Sequence, residues 1–315
     1  MARKRDNGPG GLVIVDKPAG FTSHDVVAKL RGMARTRRVG HAGTLDPMAT
    51  GVLVLGTERA TRLLGHLALT EKEYVATVRL GQDTVTEDAE GEFTASSGAK
   101  DLAREAVDAA VARLTGDILQ IPSKVSAVKV DGKRAYARVR EGEEVELAAR
   151  PVTVSSFAVH DMREETAEDG TPVTDLLVSV VCSSGTYVRA LARDLGSALG
   201  TGGHLTALRR TRVGPYGLEG AYTLERLQER VDGEQPLPVL PLGEAAAEAF
   251  PRWDVDEEQA RLIGNGARLR MPAAFVRQRE SGAGGGPVAV FGPGERFVAL
   301  VEEWDGKAKS LAVFA

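Results

Sequence analysis

The 315 residues are 43% hydrophobic and 27% charged, as expected of a globular chain long enough for one large domain and a small one. No apolar run reaches membrane-spanning length and the basic start Met1–Asp6 leads into no signal-type segment, so a cytoplasmic protein that spans no membrane is expected. One cysteine, Cys182, excludes an internal disulfide, five scattered histidines offer no metal-ligand spacing, and a net charge of −4 excludes a chain that is basic throughout.

Residues 1–10 read as a solvated basic tail. Leu12-Val13-Ile14-Val15 is a short β-branched run, expected as a buried strand that ends in the turn Asp16-Lys17-Pro18-Ala19-Gly20. Thr22 or Ser23 then caps a helix whose Val26, Val27, Leu30 and Met33 share one face. The basic segment Arg35–Arg38 leads into Gly40-His41-Ala42-Gly43-Thr44-Leu45-Asp46-Pro47-Met48-Ala49-Thr50-Gly51. Its glycines allow backbone conformations closed to other residues, and Pro47 pushes Asp46 toward an extended conformation. One carboxylate is thus presented on a stiff loop, anchored by the strand-like run Val52–Gly56. A plain Asp-Pro turn fits the same residues.

Ala60, Leu63, Leu64 and Leu67 predict another amphipathic helix, and Lys72–Leu80 alternates like a half-buried strand with Tyr74, Ala76, Val78 and Leu80 inward. The acidic stretch Asp83–Glu92 lacks the alternating carboxylates of an EF-hand and is expected as a solvated loop. Apolar positions from Leu102 to Leu114 define a helix closed by Gly116. Between Ile121 and Arg150 cations dominate. A hairpin arm around Lys129, Val130 and Asp131-Gly132 is expected, then Lys133 and a short basic helix Arg134–Arg140, together an appendage suited to an anionic partner.

Two β-rich stretches, Val152–Val159 and Val173–Cys182, flank a polar loop, and Cys182 reads as a small buried strand residue. Gly185-Thr186-Tyr187-Val188-Arg189 then opens a helix with Val188, Leu191, Ala192, Leu195 and Leu199 inward. Arg189 sits at a helix start, where the macrodipole disfavours a cation, so a specific anion is one explanation and a surface position another. His204–Arg212 predicts a strand with a basic end. Near Pro251 a domain boundary is expected, followed by a helix Asp256–Ile263, a glycine-rich hairpin loop at 282–286 and strands Val288–Phe291, Phe297–Val301 and Ser310–Phe314. Three basic clusters favour phosphate binding over solvated faces: Arg31, Arg35, Arg37 and Arg38; Lys124 to Arg140; and Arg209, Arg210 and Arg212. No nucleotide loop, serine elbow or zinc-protease helix is present.

Asp16–Ser23, Gly40–Gly51, Lys72-Glu73-Tyr74 and Gly185–Arg189, in that order and at those separations, resemble the bacterial TruB family of tRNA pseudouridine synthases over about residues 11–215. The resemblance implies an α/β (α+β) catalytic domain, 11–250, with a mixed, largely antiparallel sheet and an RNA-gripping insertion at about 121–150. A small β-rich, PUA-like domain, 251–315, would follow. It implies isomerisation of the T-loop uridine of tRNA, position 55, by a monomer without cofactor, metal or guide RNA. Asp46 matches the essential carboxylate, as nucleophile or as base; Tyr74 the aromatic that stacks on the target base; and Arg189 the arginine partner of the aspartate. His41 matches the residue inserted into the T-loop. Gly43, Thr44, Leu45, Lys17, Lys129, Lys133, Arg134 and Arg209 are the further substrate-binding candidates. A guide-dependent relative of the dyskerin type and a non-catalytic tRNA-binding factor on the same scaffold are the alternatives.

Overall fold

A computed structural model describes residues 10–123, 129–130, 133–134, 147–280 and 286–314. The first half runs β1 (Gly11–Lys17), α1 (Ser23–Met33), β2 (Val39–His41), β3 (Thr50–Thr57), α2 (Leu64–Leu67), β4 (Lys72–Leu80), β5 (Gln82–Thr84), β6 (Phe93–Ser96), α3 (Arg104–Arg113), β7 (Gly116–Gln120), β8 (Lys129–Val130) and β9 (Lys133–Arg134). It continues with β10 (Arg150–Thr166), β11 (Pro172–Cys182), α4 (Val188–Leu199), β12 (Gly203–Val213), β13 (Tyr216–Gly217), α5 (Leu224–Asp232), β14 (Leu240–Pro241) and α6 (Leu242–Ala249). Last come β15 (Arg252–Asp254), α7 (Glu257–Gly264), α8 (Ala273–Glu280), β16 (Val288–Gly292), β17 (Arg296–Trp304) and β18 (Lys307–Val313).

One large sheet, in the order β14-β1-β3-β12-β4-β11-β10-β7, carries the chain up to α6. Its ladders are antiparallel except where β12 meets β3, through Arg209↔Thr50 and Arg210↔Gly51. The mixed, largely antiparallel sheet is therefore as expected. Burial explains the two kinds of strand sequence. On β1 and β3, Leu12, Ile14, Val52 and Val54 enter one core while Val13, Val15, Leu53 and Leu55 enter another under α1 and α5, so these strands read as unbroken apolar runs. On β4 only one face is deeply buried, with Tyr74, Ala76, Val78 and Leu80 against α3 and α4, and alternation results.

The α1 helix starts at Thr22, whose side chain accepts from the Asp25 amide while Asp25 reaches back to Thr22. The predicted helix near Ala60 is broken into a 3₁₀ turn at Glu58–Arg62 and the single turn of α2. The polar stretch after Val159 is strand, not loop, because β10 runs on to Thr166 paired with β11. The helices α5, α6 and α8 were not anticipated. Residues 135–140 of the expected basic helix, Lys124 and residues 282–285 of the glycine-rich loop lie outside the described residues, while Arg134 is on β9 and not in a helix.

Beyond Pro251 a four-stranded sheet, β15-β16-β17-β18, packs around α7. Its other face joins the first sheet: Phe291, Phe297, Leu300 and Phe314 share a core with Leu12, Val52, Leu63 and Val213. The Phe297 and Phe314 rings stack at 4.7 Å in that core. Arg62 donates to the Val313 carbonyl at 2.6 Å across the same junction.

Candidate active site

The loop from Ala42 to Thr50 is held from below by side chains far away in sequence. Ser23 on α1 accepts a hydrogen bond from the Leu45 amide at 2.9 Å and donates to the Leu45 carbonyl at 3.2 Å. Lys17, with no exposed surface, donates to the carbonyls of Pro18 (2.9 Å), Phe21 (2.6 Å) and Pro47 (3.1 Å). Leu45 and Ala49 are packed into the core beside Tyr74 and Val188. With Leu45 and Ala49 buried and the backbone at Leu45 and Pro47 held by these hydrogen bonds, the loop is fixed with Asp46 partly exposed next to the exposed Thr44. That carboxylate retains 35% side-chain exposure.

Arg189, buried at the first turn of α4, meets Asp46 with Nε at 3.0 Å from Oδ2 and Nη2 at 3.3 Å from Oδ1. Its Nε is also 3.5 Å from Asp88 Oδ2, and Nη1 donates to the Thr86 carbonyl (2.7 Å) and to Ser123 Oγ (3.2 Å). A cation at a helix start thus has two carboxylates to answer. The segment Asp83–Glu92, expected as a solvated loop, is so only in part, with Val85, Glu90 and Glu92 exposed. Gln82, Thr84, Glu87 and Asp88 are buried, Glu87 pairs with Arg193 at 2.7 Å, and Asp83 accepts from the Gly203 amide at 2.9 Å. The correction has a physical cause. Glu87 and Asp88 are spent on Arg193 and Arg189 of α4 and Asp83 on an amide of β12, partners that local sequence does not reveal.

Asp46, Tyr74 and Arg189 line one cavity of about 280 Å³ together with Gly43, Thr44, Leu45, Lys72, Tyr187, Leu208 and Arg210. Tyr74 is buried on the inward face of β4. Burial raises the pKa of its hydroxyl above the ordinary value, and the nearby Arg210 charge opposes that rise. Arg210 on β12 is 1% exposed and donates to the carbonyls of Val52 (2.8 Å), Gly43 (3.1 Å) and Thr44 (3.3 Å). Lys72, also buried, donates to the carbonyls of Ala68 and Thr70. Burial and the neighbouring Arg210 charge push it down to about 8.

Three expected substrate-binding residues lie elsewhere. Lys17 is beneath the loop, with burial lowering it to about 8, and it faces carbonyls in place of substrate. Arg209 is turned to the opposite face of β12 from Arg210 and is taken up by Asp16 in a two-pronged pair at 3.0 and 2.7 Å. Because neighbours on a strand point to opposite faces, choosing 209 over 210 chose the wrong side. His41 ends β2 ahead of the loop, its ring edge-on to that of His24 at 5.6 Å. Burial and the His24 charge lower its pKa, and its Nδ1 is buried without a hydrogen-bond partner. Lys129, Lys133 and Arg134 lie on the antiparallel pair β8–β9, in register Lys129↔Arg134 and Val130↔Lys133. Lys72 and Arg210 in the cavity, and Asp88 against Arg189, are residues that sequence reasoning missed. Lys72 stood inside the quoted Lys72-Glu73-Tyr74, two residues from Tyr74 on the same strand face, and that spacing was the available signal.

Residues 31–188 match the N-terminal domain of TruB family pseudouridylate synthase, which sets the fold and its cavity in the pseudouridylate synthase class. Residues 189–238 match the tRNA pseudouridylate synthase B C-terminal domain and 250–315 the tRNA pseudouridine synthase II C-terminal domain. The chain belongs to the TruB family. It is 70% identical to the tRNA pseudouridine synthase B of Streptomyces griseus, over 98% of both chains. It is 55% identical to that of Arthrobacter sp. (strain FB24), over 97% of this chain and 96% of that one. A solved Cbf5-Nop10-Gar1 complex contains a similar chain, at 26% identity and a TM-score of 0.72, covering 97% of this chain and 85% of that one. Among the described residues no helix is long and apolar enough to cross a membrane.

Proposed function

We propose that the protein converts the T-loop uridine of tRNA, position 55, to pseudouridine, working alone in the cytoplasm without a guide RNA. The observation that carries this reading is the Asp46–Arg189 pair, at 3.0 Å, opening into the same cavity as Tyr74. In this reading the C1′–N1 bond of the target uridine breaks and its electron pair stays with the ring. The electron-poor sugar is satisfied by Asp46, which either bonds C1′ through a carboxylate oxygen or removes the C2′ proton. The ring turns and its C5 bonds to C1′ as the Asp46 oxygen–C1′ bond breaks or, in the other route, as Asp46 returns the proton to C2′; the C5 proton then leaves and N1 takes one up. Nothing is gained or lost overall, so no redox partner is required.

The fixed guanidinium of Arg189 holds the carboxylate in one orientation, and Asp88 in turn holds Arg189. Tyr74 supplies an aromatic face for the base, and His41, at the mouth of the loop, faces the RNA from which the nucleotide is drawn. Residues 11–250 carry this site. Residues 121–150 grip the RNA through Lys129, Lys133 and Arg134, and residues 251–315 extend the surface offered to it. The printed names of the relatives, tRNA pseudouridine synthase B over nearly the whole chain, support tRNA as substrate.

Tritium release from uracil-labelled, unguided tRNA transcript tests the reading. Wild-type protein releases tritium, and Asp46→Asn and Asp46→Ala bind tRNA but release none. Turnover by the Asp46 variants would sink the mechanism. Turnover only when a guide RNA is added would favour the dyskerin-type alternative, and binding without turnover the non-catalytic one.

A further inference from the structure

Two cations in the cavity differ from the other buried arginines and lysine-rich surfaces of this protein in what balances them. Arg189 is answered by Asp46 and Asp88, Arg209 by Asp16, and Arg212 by Glu71 and Glu73. Lys72 and Arg210, both lining the cavity and both almost wholly buried, pair with no carboxylate among the described residues. Their hydrogen bonds go to backbone carbonyls: two from the Lys72 ammonium and three from the Arg210 guanidinium. A carbonyl carries a partial charge only, so this side of the cavity keeps net positive charge in a low-dielectric surrounding. Each lysine ammonium has three N–H donors, and Lys72 spends two on the described carbonyls.

We propose that Lys72, backed by Arg210, is a catalytic residue that stabilises the negative charge the pyrimidine ring acquires when its bond to the sugar breaks. This rests on the reading of the cavity as a uridine site. Neutral uracil in the ground state gains little from a full positive charge. Once C1′–N1 has broken, the electron pair left on the ring spreads over N1, O2 and O4, and the same charge is worth far more. An interaction that strengthens only as the bond breaks accelerates the reaction, whereas uniform binding would not. The cation is preorganised: Ala68 and Thr70 fix the ammonium, and the Arg210 side chain is fixed by the loop carbonyls and by Val52. The groups facing Lys72 are Arg210 from β12 and Cys182 from β11. Burial and the Arg210 charge lower Lys72 to about 8 against an opposing contribution from Cys182, which leaves it mainly protonated at neutral pH.

The test is single-turnover conversion of tRNA transcript by Lys72→Met and Lys72→Ala, with tRNA affinity and thermal unfolding measured on the same samples. For Lys72→Met the expected loss in rate is about 100-fold, with tRNA Kd held within about threefold. Lys72→Ala removes a propylammonium-sized fragment, so added n-propylammonium raises its rate while 1-propanol, of the same shape without the charge, does not. A Lys72→Met rate within about threefold of wild type overturns the proposal, as does a loss in rate matched by the loss in affinity. Equal rescue by the amine and the alcohol overturns it too, because a purely structural role would be filled by either. Wild-type protein that fails to convert the transcript overturns the functional reading first, and this inference falls with it.

Discussion

Gly51 is where the fold and the loop depend on one missing methyl group. Its φ is +99°, and a Cβ built there would stand 2.1 Å from the Arg210 carbonyl oxygen and 2.9 Å from the Arg210 carbonyl carbon and amide nitrogen. All three are backbone atoms, and they belong to the parallel pairing of β3 with β12, so no side chain can swing away to make room. Gly51→Ala must therefore push the two strands apart as well as hold an unfavourable φ. Gly20→Ala is the matched control, with φ +79° and nothing within 4 Å of its added Cβ. The control should lose about 1–2 kcal/mol for backbone strain alone. Gly51→Ala should lose a further 1–3 kcal/mol, roughly, for the overpacked strand contact. In a chain of this size that further loss is a Tm on the order of 5 °C lower than the control, read by differential scanning calorimetry. Because Arg210 holds the Gly43 and Thr44 carbonyls, strand separation also moves the cavity wall, and turnover should fall more than tRNA affinity. Equal Tm shifts in the two variants would refute the claim that the close approach, and not the dihedral angle, requires glycine at 51.

Ser23→Ala strands the buried Leu45 amide and should cost about 1–3 kcal/mol in denaturant unfolding, with turnover reduced and tRNA Kd unchanged; a loss of only a few tenths would show that the loop is not pinned there. Lys17 and Lys72 are both lowered to about 8, so their charge is present below that pH and kcat/KM should fall as pH rises through it. Their effect on stability has the opposite sign. From about pH 8 up to the ordinary lysine value of 10.5 the unfolded chain binds protons that the native chain has released, so their contribution to stability rises with pH. Lys72→Met should lose part of that rise, and a variant with an unchanged stability slope over this window would contradict the assignment. Charge reversal at Lys129, Lys133 and Arg134 together should weaken tRNA binding and flatten its salt dependence; an unchanged slope would remove the gripping role from the arm.

The elements legible in the sequence were those whose cause is local. The Thr22 cap, the alternation of β4 and the apolar face of α4 were read correctly because each is set by residues within a few positions of one another. Asp46, Tyr74 and Arg189 were named from ordered segments resembling a family, and the fold brings all three to one cavity. What could not be read was anything decided by partners distant in sequence. Asp88 looked like one more acid in a polar loop, because Arg189 lies 101 positions later (189 − 88) and only the fold brings the two together. Lys17 looked like a substrate ligand for the same reason: the Pro47 carbonyl that occupies it is 30 residues away. At Arg209 and Arg210 the deciding fact was which face of β12 turns toward the cavity, and a run of cations carries no apolar alternation to reveal it.

That run also redistributes the positive charge of the protein. Arg209, Arg210 and Arg212 suggested a phosphate-binding patch, yet Asp16 holds the first, backbone carbonyls the second, and Glu71 with Glu73 the third. Their work is internal: they staple β12 to β1, to the Asp46 loop and to the start of β4. Attraction for a polyanion must then come from cations that remain outside. Arg35, Arg37 and Arg38 are exposed beside the loop, Arg38 with only a 3.8 Å contact to Glu58. In the proposed reading, a chain of net charge −4 can still attract RNA through exposed cations such as these, while Arg209, Arg210 and Arg212 are spent inside. In the proposed reaction the cations inside have a different part, Arg189 orienting Asp46 and Lys72 with Arg210 answering the charge that bond breaking creates.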